Sequence, residues 1–317
     1  VTDKPLLGIS RCLLGHPVRY DGQHKLDHYL NDQLGPFVEY LPVCPEVECG
    51  LPIPREALRL VNQDGAIRLM TQKSGQDMSD RMTGWMQGKL DSLSALPLCG
   101  FIFKSKSPSS GLHRVKVYRN GVSSPTGRGW FAKGFCERFP LLPVEEEGRL
   151  MDSRLRENFI TRIFIMRRWL DLQSEPKSLA RLMEFHAVHK YTLMAHCPKT
   201  QKELGHYLAT QSLLPPETLY SEYFSRFMPA LGKIATSRKN SNVLSHMAGY
   251  FRKNIDGSDR TELAELIERY RLGLVPLIVP ITLINHYVRK FQPPYLARQH
   301  FLNPHPLELM LRNHVDG

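Results

Sequence analysis

Three short stretches hold most of the side chains able to do chemistry. They are Ser10-Arg11-Cys12-Leu13-Leu14-Gly15, the run from Cys44-Pro45-Glu46 through Cys49-Gly50 to Pro54-Arg55, and Lys104-Ser105-Lys106-Ser107-Pro108-Ser109-Ser110-Gly111. Thiols in such loops suit soft-metal, cluster or redox chemistry. Cys12 and Cys44 lie 32 residues apart, far from zinc-finger spacing, and Cys44 with Cys49 forms only a C-x4-C pair. Taken singly, each is more often an unremarkable thiol. Glu46 sits in an apolar loop, where desolvation raises a carboxyl pKa and suits it to general acid/base work; the alternative is a salt bridge to Arg55 or Arg11. The serine stretch, with Lys104 and Lys106, can equally form an anion-binding turn. No phosphate-loop motif and no Ser/His/Asp hydrolase pattern occurs.

Each stretch follows a short apolar run: Leu6 to Ile9, Tyr40 to Val43, and Cys99 to Phe103. Strands that break into Gly/Pro/Ser-rich loops, delivering Cys, Glu and Ser, are the layout of an α/β site, because parallel strands align their C-terminal loops along one edge. Between them the pattern predicts a short helix over 23–35, a hairpin pairing 56–61 with 66–70, and a helix over 79–96. Residues 114–118 read as an edge strand, 131–139 as a helix and 141–144 as a last short strand. Glu145-Glu146-Glu147 reads as a solvated charge run that marks a boundary near 150. Residues 1–150 are therefore expected to form an α/β domain with a Rossmann-like parallel sheet.

Beyond that point the periodicity is helical throughout, over 155–170, 177–196, 199–212, 216–235, 241–253 and 259–271, so residues 151–317 are expected to be all-α. Asp259 to Glu262 resembles a capping box. The apolar stretch from Leu272 to Ile284 is too short to span a bilayer and is expected to be buried core. His186, His189 and Lys190 share one helix face, with His196 further along; interhelical hydrogen bonding is favoured over a metal site, for want of a carboxylate or thiol partner.

The 317 residues give room for two cores, and the net charge of +11 favours a polyanionic partner without identifying one. Residues 1–150 hold 19 basic and 16 acidic side chains against 23 and 15 in 151–317, so the surplus lies mostly in the second half. Six cysteines without secreted small-domain character are expected to be reduced thiols in the cytoplasm. Neither a membrane nor an obligate protein partner is indicated.

Ser10-x-Cys12-Leu13-x-Gly15 with Val18 to Gly22, Cys44-Pro45-Glu46-Val47 with Gly50-Leu51-Pro52-x-Pro54-Arg55, and Lys104-Ser105-x-Ser107-Pro108-Ser109-x-Gly111 together resemble the TudS-like thiouracil desulfidase family. Phe185-His186-x-x-His189-Lys190-Tyr191 through His196 resembles a YbgA-like helical domain. The two fused in this order resemble the desulfidases that act on 4-thiouridine in tRNA. The resemblance implies a 4Fe-4S cluster held by three cysteines, whose open iron binds the thiocarbonyl sulfur so that water can replace it without net redox change. Carried over residue by residue, Cys12 and Cys44 are ligands, Glu46 activates water or relays protons, and Ser107 assists. Ser10, Arg19, Tyr20 and Lys104 are the expected substrate contacts, and Lys190, Arg167 and Arg168 the expected tRNA contacts.

One position departs from the family pattern. Ser110 stands where the family has its third cysteine, and a hydroxyl is a hard, poor replacement for thiolate. The chain thus reads as a cysteine-to-serine, cluster-deficient form, with Cys49 or Cys99 as conceivable substitutes. Alternatives are desulfidation of free thiouracil, and a catalytically silent RNA-binding protein.

Overall fold

The computed structural model describes residues 4–211 and 213–315. The chain divides after Asp152 into two compact units, two residues beyond the boundary expected from composition.

Unit 1 is built on strands β1 (Leu6–Ser10), β2 (Glu39–Val43), β5 (Leu98–Phe103) and β8 (Val144–Glu146), all parallel, in the order β2-β1-β5-β8. Every residue of β5 is buried, as a central parallel strand covered on both faces must be. Gly8 of β1 makes this possible, because a Cβ there would lie 2.1 Å from the Phe101 ring. Helices α2 (Ser79–Ser94) and α3 (Trp130–Arg138) pack Leu90, Leu93, Phe131 and Phe135 against Phe101 and Phe103.

Two hairpins, β3 (Leu58–Gln63) with β4 (Ala66–Thr71) and β6 (Val115–Arg119) with β7 (Val122–Gly127), join through β3 and β6 into a second sheet of order β4-β3-β6-β7. Periodicity located three of these strands, but their union is a tertiary event that no local pattern encodes. The turn α1 (Pro45–Glu48) opens the second loop.

Four expectations for unit 1 change. The edge strand expected over 114–118 is β6, which lies inside its sheet because it is paired on both sides, with β3 and β7. Helix over 23–35 is confined to a wide turn at Tyr29–Leu34 and a tight one at Gly35–Phe37, because Lys25 and Asp27 give their amides to the Cys12 and Leu13 carbonyls, both at 2.9 Å. The strand expected at 141–144 begins only at Val144, since Pro143 has no N–H to offer a ladder. The acidic run is not solvated. Glu145 and Glu146 are buried, and Glu146 Oε1 accepts from the amides of Leu112 at 2.6 Å and His113 at 3.1 Å.

Unit 2 is helical: α4 (Ser153–Gln173), α5 (Leu179–His196), α6 (Pro198–Thr210), α7 (Pro216–Leu231), α8 (Ser237–Ala248), α9 (Gly257–Arg271), α10 (Ile278–Phe291) and α11 (Pro294–Ala297). The helix end expected at 212 lies outside the described residues. Helix α9 is capped by Asp256, whose Oδ1 accepts from Asp259 N at 2.8 Å, so its cap sits three residues before the expected one. Of the apolar stretch 272–284, Leu277, Pro280, Ile281 and Ile284 are buried while Leu272 and Leu274 are exposed. No described helix is long and apolar enough to cross a membrane.

An aromatic core around Trp169 stacks it on Phe224 with centroids 4.2 Å apart and meets Phe185 edge-on at 5.3 Å. The histidines lie within this unit's interior. His186 Nδ1 meets the Tyr223 hydroxyl at 3.1 Å, His189 Nδ1 the Phe185 carbonyl at 2.8 Å, and His196 Nδ1 the Lys233 carbonyl at 2.6 Å.

Candidate active site

The C-terminal ends of β1, β2 and β5 open into one pocket of about 460 Å3, with Ala57, Leu58 and Gln72 on another wall. The chain leaves β1 through a tight turn at Arg11–Leu14 that Gly15 ends at φ 84°, in the left-handed region that favours glycine. This turn buries Cys12, whose thiol is pushed up to about 11 by burial first and by the neighbouring Cys44 second, with Lys104 and Arg19 opposing. Burial also raises Cys44. Ser110 is buried beside the same pocket, and its hydroxyl has no hydrogen-bond partner. Thus Cys12, Cys44 and Ser110 all line one cavity.

Glu46 begins a chain of hydrogen bonds. Its Oε2 accepts from Arg55 Nε at 2.9 Å and from an Arg55 terminal nitrogen at 2.7 Å, a two-point ion pair shielded from water at both ends. Glu46 Oε1 accepts from Ser109 Oγ at 2.8 Å, and Ser109 Oγ lies 3.0 Å from Ser107 Oγ. Ser107 Oγ in turn accepts from the amides of Ser109 at 3.3 Å and Ser110 at 3.1 Å. Glu46 therefore has the Arg55 partner that the sequence left open. Arg55 is itself fixed by the Val18 carbonyl at 2.9 Å.

The serine loop is held by main chain. The amides of Trp130 and Phe131, in the first turn of α3, donate to the Pro108 and Ser109 carbonyls, each at 2.9 Å, and Gly129 N donates to Gly111 O at 2.7 Å. These are amides that have no partner within their own helix. A Cβ at Gly129 would lie 2.6 to 2.7 Å from backbone atoms of Ser109, Ser110 and Gly111, so only glycine allows the approach.

The expected substrate contacts separate into two groups. Ser10 Oγ accepts from Lys104 N at 2.8 Å, a tie between two strand ends. Lys104 Nζ is bound to Glu147 and to Ser105 Oγ at 3.1 Å. Arg19 and Tyr20 line the pocket, Tyr20 being 42% exposed. Sequence reasoning gave no role to Glu147, which also receives Ser105 N at 2.7 Å, or to Ser109; the first was hidden in a charge run and the second among three neighbouring serines. Cys49 and Cys99 do not line the pocket; Cys49 Sγ points to the Glu46 carbonyl at 3.2 Å and Cys99 is fully buried in β5.

The nominated RNA contacts do not form a surface. Arg168 is half-buried, with its guanidinium on the Pro304 carbonyl at 2.7 Å, and desolvation lowers it to about 10. Arg167 is mostly buried and paired with Asp171 on its own helix. Lys190 is half-buried beside His186. A guanidinium already committed to a carbonyl inside the bundle cannot reach a phosphate.

The uncharacterised protein YbgA of Escherichia coli strain K12 is 30% identical over 165 residues, 51% of this chain and 96% of YbgA. The chain belongs to the YbgA family. The family model described as a protein of unknown function (DUF1722) matches residues 190–306, and the one for 2-thiouracil desulfurase matches 7–147, which includes every pocket-lining residue. This member of the YbgA family therefore joins a 2-thiouracil desulfurase domain to a YbgA-like one. A solved structure of a 4Fe-4S-dependent thiouracil desulfidase, TudS, is 33% identical, covering 47% of this chain and 94% of that one, with a TM-score of 0.38.

A cluster held by three thiolates needs three soft donors. Two thiols and one hydroxyl meet in the pocket, and among the described residues no three His, Cys, Asp or Glu side chains converge as a metal site. As it stands the chain does not fit such a cluster, because the third position is one thiolate short.

Proposed function

We propose that the protein is a desulfidase of the 4-thiouridine class, taking its thiobase from tRNA and returning uridine, and that Ser110 leaves this chain unable to load its cluster fully. The reading rests on the Glu46–Ser109–Ser107 chain opening on the pocket that the Cys12 and Cys44 thiols also line, within the residues matched to 2-thiouracil desulfurase. Cys12 and Cys44 supply two of the soft ligands, and no step is assigned through the incomplete cluster.

The hydrolysis exchanges a C=S bond for C=O. Water adds to the ring carbon, and sulfur leaves as hydrogen sulfide. Arg55 holds the Glu46 carboxylate in place so that it can take the proton from the attacking water, either directly or through Ser109. Ser107, anchored by two amides, has its hydroxyl proton free to go to Ser109 or to a group in the pocket, so the same chain can return the proton to the departing sulfur. A base inside helical RNA cannot reach such a pocket and has to be presented unstacked.

The test compares this chain with Ser110→Cys after anaerobic reconstitution, measuring iron and acid-labile sulfide and the loss of 4-thiouridine absorbance from tRNA. The cysteine form is expected to hold about four irons, as a cubane requires, and to turn over, while the serine form does neither. No cluster and no turnover in either form would end the desulfidase reading. Turnover of free thiouracil but not of tRNA would replace the substrate, and tRNA binding with a full but idle cluster would favour a silent RNA-binding protein.

A further inference from the structure

With Arg167, Arg168 and Lys190 occupied or half-buried, a polyanion needs another surface on unit 2. A groove of about 480 Å3 runs between α8 and α9. Along α8 and the turn after it, Arg238, Asn242, Ser245 and Arg252 line it, recurring at intervals of four, three and seven residues, which keeps them on one face. The two arginines stand about 20 Å apart at the rise of a helix. Both are exposed, and neither guanidinium has an acidic partner. Opposite, α9 contributes Arg260, with Nε on its own Asp256 carbonyl at 3.0 Å, and Arg271, paired with Glu268 at 2.6 Å. Glu268 is the one acidic side chain on the wall.

The floor differs from the rim. Leu263 and Ile267 are buried beneath it, and Ala264 leaves the groove deep. Between rim and floor, Ser241 is 5% exposed and its hydroxyl has no hydrogen-bond partner. An unpartnered buried hydroxyl between two unpaired guanidinium groups, those of Arg238 and Arg252, is suited to an oxygen-rich anionic chain.

We propose that this α8/α9 groove holds a stretch of RNA backbone, Arg238 and Arg252 meeting phosphates at its two ends while Ser241, Asn242 and Ser245 meet ribose and phosphate oxygens between them. The inference rests on the tRNA reading above, but names a surface which that reading does not. An apolar floor alone would suit an amphipathic protein helix; four arginines against one glutamate favour RNA.

The test titrates the full chain with a labelled, unmodified tRNA transcript between about 50 and about 200 mM salt, since backbone contacts are sequence-independent and salt-sensitive. It is repeated for R238E/R252E, for A264F, which fills the groove without changing charge, and for K199E/K202E on α6, which makes the same charge change at exposed sites outside the groove. R238E/R252E is expected to weaken binding at least tenfold and to flatten the slope of log affinity against log salt by about 1.4 to 1.8, the loss of two phosphate contacts. A264F weakens binding too, and K199E/K202E has less effect than the groove pair. Equal losses in the two charge-reversed pairs would assign binding to net charge and overturn the proposal. If both groove variants bind tRNA like the parent, the groove is not the RNA site, the tRNA reading survives, and an acidic protein segment becomes its better occupant. No tRNA binding by the parent chain overturns both. Thermal unfolding of R238E/R252E serves as the folding control, and it is expected to match the parent because neither arginine has a partner to lose.

Discussion

Unit 1 gathers its polar groups at strand ends, where they satisfy one another around an open pocket: Glu46 with Arg55, Lys104 with Glu147, Glu146 with two amides. Unit 2 instead places histidines between helices, where burial keeps them neutral. His186, His196 and His300 are lowered to about 4, His305 to about 3, and fully buried His189 well below its ordinary value, in each case by desolvation first. Paired charges and suppressed charges are two ways of keeping polar side chains in a fold, and they fail under different conditions.

Acid should separate them most widely. An unfolded histidine takes its proton near pH 6.5, whereas folded His186, His196 and His300 take theirs only near 4, His305 near 3, and His189 also well below its ordinary value, so as pH falls from 6.5 the unfolded state binds more protons. Stability of unit 2 therefore falls as pH drops from 6.5 toward 4, by about 1.4 kcal/mol per pH unit for each histidine. Several such groups together offset a large part of the roughly 5–15 kcal/mol that holds a domain together. Unit 1 has no buried histidine among its described residues. Proteolysis at pH 5 is expected to digest unit 2 and leave a fragment the size of unit 1; equal survival of both would break the comparison.

Trp169→Ala is next in size. It removes a ring stacked on Phe224 and edge-on to Phe185, and is expected to cost about 3–5 kcal/mol in urea unfolding of unit 2. Arg55→Gln tests the other strategy. It strands the Glu46 carboxylate, about 3 kcal/mol or more by the usual penalty for half of a buried pair, and Glu46→Gln on top should recover much of it. A loss no larger than that of an exposed pair would mean the pocket solvates Glu46 by itself. Gly129→Ala should cost about 1–3 kcal/mol through the forced shift of the serine loop. Smallest is Asp256→Ala, about 1 kcal/mol from the lost cap of α9.

The strands, the loops after them and most helices were legible because apolar periodicity and Gly/Pro punctuation are local signals. Cys12, Cys44 and Glu46 shared a pocket for the same reason: parallel strands put their ends on one edge. What escaped was decided by distant partners. Glu145 to Glu147 look solvated in sequence, yet Glu146 and Glu147 accept from residues 33 to 43 positions away. Arg167-Arg168 looks like an exposed basic pair, yet Arg168 turns inward to Pro304, 136 positions on. Charge type is local; charge environment is not.

The shape of the serine loop comes from α3 amides and the bare backbone of Gly129, not from side chain 110. Shape and chemistry are thereby uncoupled at that position. On the proposed reading, a chain with serine there keeps its fold, its pocket and its arginine-rimmed groove, and would compete for the same RNA as a cysteine-bearing copy without turning it over. Expressed beside a cysteine-bearing copy, it would act as a dose-dependent brake.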